Sequence, residues 1–290
     1  MHTPVMLNEC LEVLSLQPDG VYADLTCGLG GHTGAIARRL QALGGTGFVI
    51  ACDRDAESLE LAKANTADCA DRIRFHQGLF SQVGDALAAE KIKQLDGLLA
   101  DLGVSRYQLT NGERGFSLMA DGPLDMRMSR MQERTAADIV NYESEKLLAD
   151  LIYQYGEERR SRRIARALVR ARPIKTTGQL AKLIEGAVPR TGKIHPATQT
   201  FMALRLVVNN EMEELDTLLA SLPQLVKPEG RVVLLTFMST EDRKCKQSFQ
   251  ALAKEGRAII LTRHVLKPTE EEIRDNPPSR SAKLRALQLS

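Results

Sequence analysis

Asp24-Leu-Thr-Cys-Gly28-Leu-Gly30-Gly31-His32-Thr33 is the stretch on which the fold of this chain turns. Gly20-Val-Tyr-Ala23 runs into it as a short strand-like segment. Gly34-Ala-Ile-Ala-Arg-Arg-Leu-Gln-Ala-Leu43 leaves it with Ile36, Leu40 and Leu43 on one helical face. Strand, glycine turn and helix in that order open a nucleotide-binding βαβ unit. Glycine lets the backbone turn tightly and meet a ligand with no side chain in the way.

The details of the turn narrow the ligand. A dinucleotide fingerprint needs a third glycine. Here Gly28 and Gly30 fit, Thr33 takes the third slot, and Gly34 comes one residue late. The Gly-Lys-Ser/Thr end of a phosphate-binding Walker loop is missing. Asp24 closes the strand just before the turn, where a carboxylate opposes a pyrophosphate and suits a cation. S-adenosylmethionine carries a sulfonium and an ammonium and no phosphate. A glycine turn that binds nothing is the competing reading, and the neighbouring segments weigh against it.

Gly47-Phe-Val-Ile-Ala-Cys-Asp53 is near-continuously apolar, as a parallel strand buried on both faces requires. Its terminal Asp53, 23 residues after Gly30 (53 − 30), is placed to accept hydrogen bonds from a ribose diol. The alternative is a cap for the helix over Asp55–Asn65, which Asp55 can also supply. Ile73–Gln77 is a third strand, and Gly78-Leu-Phe80-Ser leads into a helix over Gln82–Lys91. Phe80 suits either an adenine face or ordinary helix–sheet packing. Leu95–Gly103 is a fourth strand, with Asp101 near its tip. Ligands of open α/β sheets gather at such tips, so Asp24, Asp53 and Asp101 are expected at one crevice.

After Gly103 the alternation stops for about a hundred residues, too long for a plain loop. Ser105–Arg130 is rich in Gly, Arg and Asp, but Phe116, Leu118 and Leu124 argue against disorder. Helices are expected over Glu145–Tyr155 (Leu147, Leu148, Leu151, Ile152 and Tyr155 inward), Arg159–Arg172 (Ile164, Leu168 and Val169 inward) and Thr177–Val188, and from His195 with Pro196 in the first turn. The second of these carries seven arginines and no acid between Arg159 and Arg172. A solvated face normally mixes both signs, so this one reads as a phosphate contact, with Arg159, Arg162, Arg163 and Arg166 as candidates. Strands resume at Gly230–Phe237, a capped helix starts at Met238–Arg243 and runs on through Lys244–Glu255, and Ala258–Val265 and Ser281–Leu289 follow, the last antiparallel. With an amphipathic helix over Val5–Leu16, the expected fold is α/β: a Rossmann-like seven-stranded sheet from residues 1–104 and 211–290, with a helical domain inserted over 105–210.

Composition removes several classes. A net charge of +2 leaves any nucleic-acid footprint to be local. Aromatics at 4%, with no Trp, argue against holding single strands mainly by stacking. Cys10, Cys27, Cys52, Cys69 and Cys245 form no C-x-x-C pair, and the five histidines show no ligand spacing, so reduced thiols and no metal are expected. Val232–Met238, the longest apolar run, is too short to span a bilayer, and Met1-His-Thr-Pro lacks signal-peptide form. A cytoplasmic protein without membrane attachment is expected, either monomer or homodimer.

With these segments assembled, the chain resembles the bacterial MraW/RsmH family, the ribosomal RNA small-subunit methyltransferase H enzymes. The matching runs are His2-Thr-Pro-Val, Gly28-Leu-Gly-Gly-His32, Asp53-Arg-Asp55, Asp101-Leu-Gly-Val-Ser105, Gln108-Leu, Glu113-Arg-Gly-Phe-Ser117, Asp121-Gly-Pro-Leu-Asp-Met-Arg-Met128, Tyr155-Gly-Glu-Glu-Arg159, Arg163-Ile-Ala-Arg-Ala167, His195-Pro-Ala-Thr198, Glu241-Asp-Arg243 and Asn276-Pro277. They reach from one end of the chain to the other, and Asp121–Met128 is highly specific. The resemblance implies a class I S-adenosylmethionine-dependent methyltransferase acting on the exocyclic N4 of a cytidine in the decoding region of 16S ribosomal RNA. It implies that Gly30, Gly31, His32, Asp53, Phe80, Asp101 and Gln108 line the S-adenosylmethionine site, and that the partner is small-subunit RNA. The chain departs from the family where Met238 stands in a run commonly written Phe-His-Ser, and it is short between Glu255 and Thr269.

A cytosine N4 lone pair is delocalised into the ring, so an acceptor near its N–H would help, and Asp101 is the best-placed candidate. Methylation at C5 would need a nucleophilic cysteine. Cys27, the only one near the turn, belongs to the turn itself. A small-molecule amine or another RNA is the alternative substrate; a nicotinamide dehydrogenase and a non-catalytic RNA-binding protein are the further rivals.

Overall fold

The computed structural model describes residues 4–190, 192 and 194–290; His2 and Thr3 of the first matching run lie outside them. The chain divides into two compact units, Met1–Gly103 with Glu213–Ser290, and Val104–Met212. In chain order the first part supplies α1 (Leu7–Leu14), β1 (Val21–Asp24), α2 (Gly31–Leu43), β2 (Phe48–Asp53), α3 (Ala56–Asn65), β3 (Ile73–Gln77), α4 (Val83–Ala89) and β4 (Leu95–Asp101). The middle supplies α5 (Arg106–Thr110), α6 (Ala136–Tyr142), α7 (Glu145–Gly156), α8 (Ser161–Arg170), α9 (Thr177–Ala187) and α10 (Thr198–Val208). Then come α11 (Glu211–Leu225), β5 (Val226–Thr236), α12 (Ser239–Lys254), β6 (Ala258–Ile260), α13 (Glu270–Asp275) and β7 (Lys283–Leu289).

The strands form one seven-stranded sheet in the order β3-β2-β1-β4-β5-β7-β6. The first five run parallel; β7 lies antiparallel to both β5 and β6. Their register sets the site. Asp24 pairs with Ala51 of β2 and with Leu99 of β4. Asp53 and Asp101 each lie two residues beyond those partners. Side chains alternate faces along a strand, so all three carboxylates stand on one face, Asp53 and Asp101 one pleat above Asp24. That face is filled by Tyr22, Val49, Ala51, Leu99, Val233 and Leu235 packed against Cys10 of α1, Ile36 and Leu40 of α2 and Leu59 of α3.

The second unit has its own core, built from Phe116, Leu124, Met126 and Met128 of the long segment and from buried faces of α6 to α10. The Asp121–Met128 run ties that segment down. Asp121 accepts the Gly178 N–H at the start of α9 (2.7 Å), and the Leu124 N–H donates to the Lys175 carbonyl. Arg114, only 2% exposed, donates to the carbonyls of Arg127 (3.0 Å) and Met128 (2.8 Å). Asn209 clamps the same strip, accepting the Met128 N–H and donating to the Met126 carbonyl, both at 2.7 Å. A buried strip of irregular backbone needs such partners for its polar groups.

Several elements differ from expectation. Leu147 is exposed; the inner face of α7 is Leu148, Ala149, Ile152 and Gly156, and Leu147 falls on the flank of that stripe. Pro196 precedes α10 rather than entering it: the Ala197 N–H donates to His195 Nδ1, a turn forms there, and the helix begins at Thr198. The expected strand over Ala258–Val265 stops at Ile260, because the Leu261 and Thr262 N–H groups both reach the Ala286 carbonyl and the Thr262 hydroxyl accepts the Ala286 N–H, which bulges the ladder. Helices α5, α6 and α13 fall where the sequence predicts none, and the long helix expected from His195 is two, α10 and α11, broken at Asn210, which has φ 53°. No helix among the described residues is long and apolar enough to cross a membrane.

Candidate active site

The glycine turn is fastened from two sides. Asp53 accepts the Gly28 N–H with one carboxylate oxygen (2.7 Å) and the Asp55 N–H with the other (2.9 Å). Asp55, not Asp53, caps α3, accepting the Glu57 N–H. Gly30 has φ 84°, and a Cβ there would stand 2.9 Å from Thr66 and 3.2 Å from Ala62 of α3. Gly31 is glycine for another reason: a Cβ would meet the Pro4 ring at 2.6 Å.

Asp24 is fully buried, and its carboxylate serves the protein rather than a ligand's cation directly. It accepts the Thr33 hydroxyl at 2.6 Å and the Thr26 N–H at 3.1 Å. Thr33, which breaks the dinucleotide pattern, is therefore the residue that ties α2 to the tip of β1. The Thr26 hydroxyl in turn accepts the Asp101 N–H at 2.6 Å, so the tips of β1 and β4 are joined through one side chain. The sequence marks Thr33 only as the residue in the third glycine slot and gives no signal for Thr26, whose role depends on the approach of two strand tips.

Asp101 Oδ1 is buried and has no hydrogen-bond partner among the described residues, while Oδ2 lies 3.9 Å from His32 Nδ1. Burial pushes the Asp101 carboxyl up to about 6; His32 opposes the shift, and the charges of Asp24 and Glu241 add to it. Asp53 is also pushed up to about 6 by burial, against the two N–H groups it accepts. His32, 5% exposed, meets the Val5 carbonyl with Nε2 at 3.0 Å. Phe80 lies half-buried in a 3₁₀ turn after β3. That turn is held where the Gly78 N–H donates to the Asp53 carbonyl (3.0 Å) and the Ser81 N–H to Glu214 (2.9 Å).

Gly30, Gly31, His32, Asp53, Phe80 and Asp101 thus all belong to the first unit: Asp53 and Asp101 at the ends of β2 and β4, Gly30 and Phe80 in the turns after β1 and β3, and Gly31 and His32 in the first turn of α2. Gln108 belongs to the second unit, where its carboxamide oxygen accepts the Ser105 N–H and closes the capping box of α5. The residues of the first unit fit S-adenosylmethionine. A partnerless buried carboxylate oxygen suits an N–H donor, the acid at the β2 tip retains lone pairs for hydroxyls, and the turn offers no lysine or arginine for a phosphate. No group of three or more potential metal ligands occurs among the described residues.

The arginine run divides. Arg160 is held by Glu158 and the Pro189 carbonyl, and Arg172 by the Val140 and Glu143 carbonyls, so both are structural. Arg159, Arg162, Arg163 and Arg166 are exposed, with Arg166 3.4 Å from Glu145 of α7. Met238 occupies the N-cap of α12 with its side chain buried, and its N–H donates to Glu241.

A parallel sheet ended by a reversed β7, a glycine turn after β1 and acids at the tips of β1, β2 and β4 together define a Rossmann-like methyltransferase of class I. The chain belongs to the MraW methylase family, which it matches over residues 1–290. It is 58% identical over 289 residues to Ribosomal RNA small subunit methyltransferase H of Solibacter usitatus (strain Ellin6076), covering 100% of both chains. It is 47% identical over 296 residues to the protein of that name from Acidobacterium capsulatum (99% and 98% covered). With that of Coprothermobacter proteolyticus it shares 42% over 289 residues (99% and 95% covered).

Proposed function

We propose that this protein uses S-adenosylmethionine to methylate the exocyclic N4 of a cytidine in the decoding region of 16S ribosomal RNA. Family membership and relatives named for small-subunit ribosomal RNA methylation along their whole length support the reading. The observation that carries the chemistry is the buried, partnerless Oδ1 of Asp101 at the tip of β4. When bound, S-adenosylmethionine supplies an electrophilic methyl group on a sulfonium.

The protein's own part is to bind, orient and move a proton. Gly30 and Gly31 let backbone approach the cofactor, Asp53 accepts from its ribose, and Phe80 offers an adenine face; Gln108 is proposed as a further cofactor contact. The target base leaves its stack to reach the site. Asp101 accepts a hydrogen bond from the amine and then its proton, which keeps the nitrogen lone pair available for transfer. Arg159, Arg162, Arg163 and Arg166 hold RNA phosphates.

Asp101→Asn tests the assignment, because it keeps shape and removes charge. Single-turnover methylation at saturating cofactor is expected to fall by roughly a hundredfold or more, with cofactor affinity little changed. A near-normal rate would leave Asp101 a binding residue only.

A further inference from the structure

His32 is implied to line the cofactor site, yet its surroundings are organised around a proton. The Val5 carbonyl can only accept, so Nε2 must carry the N–H in their 3.0 Å contact. In the neutral ring this leaves Nδ1 with a lone pair, and Nδ1 is the atom that faces Asp101 at 3.9 Å. The ring cannot readily turn over. It is 5% exposed, and the segment that supplies Val5 is fixed: Pro4 stands against Gly31, and the Met6 N–H donates to Glu272 of α13 at 2.6 Å. Catalytic hydrogen bonds are often long before substrate binds and tighten afterwards, and 3.9 Å is within reach of a small side-chain rotation.

We infer that His32 is a positioning residue that shares, through Nδ1, the proton Asp101 takes from the substrate amine, so that the carboxylate is restored within the same turnover. This rests on the proposal that Asp101 is the acceptor. The amine N–H bond breaks with its electron pair left on nitrogen, and an O–H bond forms on Asp101. The proton then passes to the Nδ1 lone pair, giving an imidazolium held between the Val5 carbonyl and the Asp101 carboxylate, and leaves to water after product release. Among the described residues, the other titratable groups that act on or with Asp101 are Asp24 of β1, Glu241 of α12 and Cys10 of α1. Burial holds the Cys10 thiol neutral, and the two acids favour a positive charge on the pair. The arrangement explains why a buried histidine follows the glycine turn, where cofactor contact by backbone alone would accept any residue.

Two measurements test it, one without cofactor. In protein with ¹⁵N-labelled histidine, the neutral His32 ring should carry its proton on Nε2, and Asp101→Asn should shift the Nδ1 resonance more than the Nε2 resonance. In single turnover, His32→Gln should move the acid limb of the pH–rate profile to higher pH. The extra loss at pH 6 over that at pH 8.5 should be about tenfold, since Asp101 loses the neighbour that favours its charge. A neutral ring protonated on Nδ1, or an Nδ1 resonance untouched by Asp101→Asn, overturns the inference, even if His32→Gln does not fold. So does a His32→Gln loss equal at every pH and matched by weaker cofactor binding. Near-normal turnover in Asp101→Asn would instead remove the reading beneath it, so the two failures are distinguishable.

Discussion

Asp53, proposed at the ribose, and Asp101, proposed at the amine, both titrate in a range that gives a test independent of turnover. Both carboxyls are raised in the folded protein, from 3.8 to about 6. A group raised on folding binds protons more readily in the native state, so its contribution to stability is present below about pH 4 and lost as pH rises through 6. A cationic cofactor held by Asp53 prefers that acid ionised. Its affinity should therefore rise between pH 5 and 7 with protons released on binding near pH 6, read by calorimetry in buffers of different ionisation enthalpy. Affinity that is flat across that interval would contradict the assignment. Asp53→Ala should weaken S-adenosylmethionine binding by about 1.5–3 kcal/mol, the scale of a lost charged acceptor. Part of that loss would come through the Gly28 N–H that Asp53 holds. Unchanged affinity in the same calorimeter would remove its ribose role. At this scale the sequence was informative about charge and poor about partners. Position at a strand tip marked Asp24, Asp53 and Asp101, but only coordinates distinguish Asp24, engaged by Thr26 and Thr33, from Asp101, whose Oδ1 is left without a partner.

Helix α8 buries one stripe and leaves a row of arginines exposed. Ile164, Ala165 and Leu168 bury its inner stripe, while Arg162, Arg163 and Arg166 stand in solvent. Replacing those three with Gln should flatten the salt dependence of RNA binding and leave cofactor affinity alone. Filter binding across a salt series is the measurement, and an unchanged slope would reduce α8 to a solvated face paired with Glu145. The helices show where periodicity succeeds. Arg159–Arg172 was legible from its three-and-four spacing. Helix α11 has the same spacing in Leu215, Leu218, Leu219 and Leu222, all buried, with Pro223 inside its last turn. The early stop of β6 was not legible, since it depends on a hydroxyl of Thr262 replacing a ladder bond to β7.

On the scale of the whole molecule, the seven strands, the reversed last strand and the interruption after β4 were all readable from apolar runs and glycine turns. What was not readable was the purpose of Asp121–Met128. As a string it is a Gly- and Asp-rich run with no periodicity; in the structure Asp121, Arg114 and Asn209 use it to close the second unit's core. A specific motif can thus be specific because irregular backbone must be satisfied from within. The central claim, N4-methylation of one cytidine in small-subunit RNA, concerns a product that mass spectrometry resolves. Small-subunit RNA from cells lacking the gene should lose one N4-methyl group from a decoding-region cytidine, regain it when the wild-type gene is returned, and fail to regain it with Asp101→Asn. An unchanged methylation pattern in the absence of the gene would contradict the account.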